Sequence, residues 1–312
     1  MRNLTILDVQ AANLPESPSL QPASGPAICV DVVNKAVYAL VNDSDGSALL
    51  CSVHLNTADS AAESGEARRV CTLPFSLASG AGILASNMQF LMERESIFVA
   101  LRTGDIFTVH IGSHGDSEAP ELVGTVDPGI VACAWSPDEE LLALVTGEAR
   151  LLLMTQEYDV VDEFPLAQGQ EGEEAPVALG WGKRETQYHG KAGKAAALGS
   201  SEPATENEIV NARLDDGEDD GQTRISWRGD GAFVAVSFIA QSGAREMRVF
   251  SREGRLHSIA EPIEALKHTL SWRPSGRLIA ATEKLDHRHD VVFFERNGLR
   301  HGQFTLRKQT LR

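Results

Sequence analysis

An all-β fold of repeated four-stranded blades, a β-propeller, is the fold class predicted for this 312-residue chain. Its four tryptophans, Trp135, Trp181, Trp227 and Trp272, stand 46, 46 and 45 residues apart, the length of one such blade. Three of them open the same phrase, "WSPDEELLALVT", "WRGDGAFVAVS" and "WRPSGRLIAAT". Each is a tryptophan, a turn and an apolar run, with Ala143, Ala235 and Ala280 at one shared offset. A third strand follows each phrase, "RLLLMTQ", "EMRVFSR" and "DVVFFER", so the units carry the signals of multi-stranded sheets.

Taken in order, "NLTILDV" near the amino terminus reads as a spare strand. The first blade, roughly 26–70, holds "AVYALVNDSDGSALLCSVHL", two strands around a turn. In the second, 71–125, "SIFVALRTGDIFTVHI" aligns with "LLALVTGEARLLLMT" of the third, 126–170, at a shift of 43 residues. The fourth, 171–217, keeps Trp181 but breaks the pattern. The fifth, 218–262, and the sixth, 263–306, carry the two closest copies of the phrase, and Asn297-Gly298 is a hairpin signal leading into "LRHGQFTL". Pro137 and Pro274 preset φ for the first turns, and Gly231 and Gly276 can supply a positive φ.

Two polar stretches, 56–69 and 199–221, read as solvated loops that lengthen connections at modest entropic cost. A propeller protects its strand edges by circular closure. About six blades, with final strands stopping at "RKQTLR", read as an incomplete seven-bladed ring of WD-repeat type, and 1–312 as a single domain. The Trp-Asp dipeptide of ordinary WD repeats is missing, so the hydrogen-bond networks built on it are expected to be absent or replaced.

Composition narrows the function. A net charge of −16 repels a polyanion at long range, so any nucleic-acid contact must be local or belong to a partner. No window offers the roughly 18 apolar residues of a transmembrane helix. The start, "MRNLTILDVQ", brings Asp8 in too early for a signal peptide, which predicts a protein kept inside the cell. Cys29, Cys51, Cys71 and Cys133 form no C-x-x-C pair and read as reduced, mostly buried small hydrophobes.

Several motifs point to sharper chemistry and fall short of it. Gly80 to Ala85 matches G-x-G-x-x-A, yet it precedes another strand-rich segment instead of opening a helix in a βαβ unit, so an inter-blade turn is expected. Asp286-His287-Arg288-His289-Asp290 puts two imidazoles two residues apart on one face of a strand, but offers no third ligand and reads as a solvated connection. Asn42-Asp43-Ser44-Asp45-Gly46 opens like a calcium loop, lacks the glutamate at its twelfth position, and reads as a hairpin turn. The acidic pairs Glu139-Glu140, Glu173-Glu174 and Asp219-Asp220 fall in turns or loops, where exposure leaves them no catalytic pKa split. The common hydrolase and nucleotide motifs do not occur, so no catalytic residue, metal or cofactor is expected.

Lys183, Arg184, His189, Lys191 and Lys194 form a basic cluster, with Gln187 and Tyr188 between them. It can face an acidic partner, or present cations and an aromatic face to RNA; an ordinary solvated blade loop is the other reading. The four tryptophans are expected to be packing residues.

The segment "GWGKRETQYHGKAGKA" from Gly180 does not look like a generic blade. With "SWRGDGAFVAVS", "LSWRPSGRLIAAT" and "DVVFFERNGLRHGQFTL", it resembles the amino-terminal WD-repeat propeller region of the largest subunit of the Elongator complex, over about 1–306. The resemblance implies a non-catalytic scaffold that supports modification of the wobble uridine of tRNA in the cytoplasm, and also the nucleus. The implied partners are the other Elongator subunits, among them the catalytic radical-SAM and acetyltransferase subunit, with tRNA reached indirectly or weakly and no membrane. The family's second propeller, helical array, dimerisation region and basic carboxy-terminal region have no counterpart here. The readings set against it are a propeller enzyme with a metal at its central channel, and an adaptor in transcription elongation or trafficking.

Overall fold

The computed structural model describes residues 21–22, 27–42, 47–54, 67–76, 84–112, 119–166, 219–263, 265–285 and 288–306. They form antiparallel sheets and group into two compact units, Met1–Leu166 and Ala167–Arg312.

The first unit holds three sheets. In the first, β3 (Ala36–Asn42), β4 (Ser47–His54) and β5 (Arg68–Ser76) run in chain order. Two short strands, β1 (Gln21–Pro22) and β2 (Ile28–Asp31), pair with opposite halves of β3, so this sheet has a first strand broken in two. The second sheet is β6 (Ala85–Leu91), β7 (Ser96–Leu101), β8 (Asp105–His110) and β9 (Glu121–Thr125). The third is β10 (Ile130–Trp135), β11 (Leu141–Thr146), β12 (Arg150–Thr155) and β13 (Val160–Pro165).

The central strands are uninterrupted apolar runs because both of their faces are covered. Side chains alternate along a strand, so Ile97, Val99 and Leu101 of β7 join the core shared with the first sheet, while Phe98 and Ala100 join the core shared with the third. The first strands meet side by side, β6 packing against both β2 and β10. The fourth strands have one neighbour only, and β13 accordingly reads "VVDEFP" with its first four residues exposed.

Among the described residues the second unit holds two sheets. One is β14 (Arg224–Trp227), β15 (Phe233–Ile239), β16 (Arg245–Ser251) and β17 (Leu256–Ile259); the other is β18 (Leu266–Trp272), β19 (Leu278–Leu285), β20 (Arg288–Glu295) and β21 (Arg300–Leu306). Between them lies a core of Ala235, Met247 and Val249 against Trp272, Ile279 and Phe294. The repeated phrases "SWRGDGAFVAVS" and "SWRPSGRLIAAT" are thus each a first strand, a turn and a second strand.

Five of the six expected blades are present among the described residues, and the fourth, 171–217, lies outside them, as does "NLTILDV". Two boundaries shift. The first sheet runs from 21 to 76, beyond the expected 26–70, and Arg68 and Arg69, read as the end of a polar insertion, begin β5. They pair with Ser52 and Cys51, so the apolar alternation after them belongs to the outer strand of the first blade, not to the second.

Each turn between first and second strands is the same device. The residue after the tryptophan donates its N–H across the turn and accepts from the residue three further on: Ser136 with Leu141 and Glu139, Arg228 with Phe233 and Gly231, Arg273 with Leu278 and Gly276. That last residue is left-handed every time, at φ 57° for Glu139, 68° for Gly231 and 96° for Gly276. The closing hairpin of the last blade is tighter still, since a Cβ on Gly298 would lie 2.2 Å from the Ile259 carbonyl oxygen.

Candidate functional site

The basic cluster Lys183, Arg184, Gln187, Tyr188, His189, Lys191 and Lys194 lies outside the described residues, together with Trp181. Of the other candidates, Gly80 to Ile83, Asp43 to Gly46, Glu173-Glu174, and Asp286 and His287 also lie outside. What flanks them is described. Ala85 begins β6, and the Asn42 to Gly46 segment joins the paired strands β3 and β4. Asp290 is fully buried, forms an ion pair with Arg288 Nε at 3.1 Å and accepts a hydrogen bond from Gln303 Nε2 at 3.2 Å, so it serves within its sheet.

The remaining tryptophans sit between blades. Trp135 meets the Phe98 ring edge-on at 5.5 Å and Trp272 lies 6.5 Å from Phe233, in both cases across to the preceding sheet. Trp227 is buried as well. Cys29, Cys51 and Cys133 are buried and Cys71 half-buried, all as free thiols.

The reading of exposed loop acids is corrected for Asp219, while Asp220 is exposed as expected. Asp219 is only 6% exposed and grips the Arg245 guanidinium through both oxygens, at 2.6 and 2.9 Å, with Arg245 itself 1% exposed. Burial pushes the Asp219 carboxyl up, but the Arg245 hydrogen bonds, the Gly221 N–H and the Arg245 and His268 charges outweigh it and hold it below its ordinary value. The cause is a cation 26 residues away in sequence, which the local composition of 199–221 does not announce. Asp220 pairs with Arg224, and His268 brings Nδ1 to 3.9 Å from it. These three side chains converge to within 4.8 Å, as metal ligands would, yet both carboxylates already hold guanidinium groups.

At the opposite end of the β14 strand, the turns of the last two blades enclose a cleft of about 590 Å³. Arg228, Arg273, Arg277 and Arg296 line it, and its one acid, Glu295, faces His301 Nδ1 at 3.1 Å. Arg228 forks onto Asp230 at 2.6 and 2.7 Å and stacks on Phe233, 4.5 Å from the ring centre. Arg296 lies over the same ring at 5.0 Å. Arg273 and Arg277 are exposed, and their guanidinium groups have no hydrogen-bond or ion-pair partner among the described residues. The sequence holds the signal for this cleft in the positions that differ between copies of the tryptophan phrase, which a search for the shared pattern passes over.

Antiparallel sheets of four strand positions joined by equivalent turns, with cores between neighbouring blades of each unit, define a β-propeller. A WD40 domain from Toxoplasma gondii coronin shares the fold, with a TM-score of 0.55 over 96% of this chain and 67% of its own, at 9% identity. Residues 1–312 match the family model described as the ELP1 first N-terminal beta-propeller, and the chain belongs to that family. Proteins named Elongator complex protein 1 are similar to it: that of Oryctolagus cuniculus is 41% identical over 220 residues, 70% of this chain and 16% of the relative. That of Schizosaccharomyces pombe is 39% identical over 226 residues, 72% of this chain and 18% of the relative. The chain therefore spans less than a fifth of the length of these relatives. Among the described residues no helix is long and apolar enough to cross a membrane.

Proposed function

We propose that this chain is a non-catalytic scaffold region of an Elongator complex, and that the complex modifies the wobble uridine of tRNA in the cytoplasm and the nucleus. The observation that carries this reading is the match of the whole chain to the ELP1 propeller family, supported by relatives bearing the Elongator name. The fold suits the role, because a rigid blade repeat holds its turns in fixed positions while their side chains vary freely. The whole chain, 1–312, acts as one propeller domain. The partners are the other Elongator subunits, including the radical-SAM and acetyltransferase subunit, while tRNA is held by those partners rather than by a chain of charge −16.

Affinity purification of the tagged chain from cells tests the assignment. Recovery of the other Elongator subunits is expected, and their absence under conditions that preserve the complex overturns it. Loss of wobble-uridine side chains in a deletion strain, read by mass spectrometry of tRNA nucleosides, separates the tRNA role from a transcription role.

A further inference from the structure

We infer that the arginine cleft between the turns of the last two blades is a docking site for a short acidic segment of a partner protein. The cleft binds such a segment whether or not the chain enters an Elongator assembly, so peptide binding and co-purification fail independently.

The repeat provides its own control. Three first turns share one backbone design, so the turn itself does not dictate which side chains they carry. After Trp135 come Ser136, Asp138 and Glu140; after Trp227, at the same offsets, Arg228, Asp230 and Ala232; after Trp272, Arg273, Ser275 and Arg277. The turn after the third strand changes in the same direction, with Glu157 and Glu253 in the earlier blades and Asn297 in the last. Against the third blade, the last has lost an acid at four equivalent places, those of Asp138, Glu139, Glu140 and Glu157, and gained an arginine in one of them.

The acids of the earlier blade have structural work. Glu139 accepts the Met92 and Glu93 N–H groups at 3.1 and 3.2 Å, and Glu157 pairs with Arg94 at 2.9 Å, clamping the third blade to the second. The last blade puts Gly276 and Asn297 at those positions. The clamp gives way to an open cleft with the Arg228 stem beside Gly276.

Unpaired guanidinium groups converging on one cleft match carboxylates, which they bind through paired N–H donors. A nucleic acid fits less well on two counts. Single strands are held by stacking bases on open aromatic faces, and of the two rings at this cleft the phenyl ring of Phe233 is flanked by Arg228 and Arg296 while the His301 imidazole is engaged with Glu295. A long polyanion is also repelled by the −16 charge of the rest of the chain, whereas a segment with two or three carboxylates meets mainly the local field.

The test is fluorescence anisotropy of a labelled hexaglutamate peptide with the full chain at low ionic strength. The wild type is expected to bind, and binding should weaken with added salt. The double substitution Arg273→Ser and Arg277→Glu installs the residues of the third blade at exposed positions. It should weaken binding at least about tenfold while the thermal melt stays in place. Arg273→Lys with Arg277→Lys keeps the charge and should retain most of the binding. The inference is overturned if the wild type does not bind, or if the charge-reversed variant binds as well. It is equally overturned if unfractionated tRNA displaces the peptide and loses affinity through the same two substitutions.

Discussion

The Ser226 hydroxyl accepts the backbone N–H of Trp272 at 3.0 Å, joining β14 of one blade to β18 of the next across 46 residues of sequence. The second and third blades are linked at a similar separation, where Asn87 Nδ2 donates to the Cys133 carbonyl at 2.9 Å. First strands lie at blade edges, where their outward backbone groups have no ladder partner, and a side chain from the neighbouring blade supplies one. Ser226→Ala removes the acceptor from a buried N–H and is expected to cost about 1–3 kcal/mol of stability, with Ser226→Thr costing less. A chemical-denaturation midpoint equal to wild type for Ser226→Ala would show that the link contributes nothing.

The tryptophans set the spacing between blades. Trp272 is 4% exposed within the core of the last two blades, and its removal leaves space that neither sheet can close. Trp272→Ala is expected to cost about 3–5 kcal/mol. The Trp272 indole Nε1 has no hydrogen-bond partner among the described residues, so Trp272→Phe gives up some packing while removing an unsatisfied buried donor. It should lose markedly less. Equal melting temperatures for the two variants would contradict this division of the indole's role.

The blade period was legible because each unit buries the same faces, and burial constrains residue type at fixed offsets. Trp135, Trp227 and Trp272, the third strands and the Asn297-Gly298 hairpin all follow from that constraint. The break at the first blade was not legible, since β5 opens with Arg68 and Arg69, which resemble the polar insertion before them more than a strand. The left-handed position in each first turn was half legible. Gly231 and Gly276 announce it, whereas Lys35, Glu95 and Glu139 adopt it at φ values of 53°, 47° and 57° with nothing in their identity to say so. Asp219 was misjudged for a different reason: its neighbours in sequence are polar, but its partner in space is Arg245. Of the cleft arginines, Arg228 and Arg273 hide inside the phrase shared by the last two blades, and Arg277 shows only as a departure from it.

The cysteines lend themselves to a direct check. Burial pushes the thiols of Cys29 and Cys133 up to about 12 and that of Cys71 to about 11, and the Asp31 charge adds to the effect at Cys29. The thiolate is the reactive form, so at mildly alkaline pH these groups stay protonated and shielded in the fold. A colorimetric thiol reagent should find the native chain nearly inert and titrate all four cysteines in denaturant. Rapid reaction of two or more thiols in the native state would mean that the first and third blades open readily.

The Arg245 and Asp219 pair gives stability a pH dependence with a definite sign. Asp219 is held below its ordinary value of 3.8, so its ionised form is favoured by folding. A carboxyl of this kind contributes its full stabilisation above its unfolded value and loses it as pH falls through the folded one. At neutral pH, Asp219→Asn leaves the Arg245 guanidinium buried without its counter-charge, at an expected cost of about 3–5 kcal/mol. As pH falls through the ordinary value of 3.8 the unfolded chain takes up its proton first, and the gap between wild type and Asp219→Asn should narrow. Replacing both partners, Asp219→Asn with Arg245→Met, should recover much of the neutral-pH loss, because no unpaired charge remains in the interior. Thermal melts of the three proteins across pH 3 to 8 decide it, and a gap that stays constant down to the lowest pH would show that Asp219 does not act through its charge.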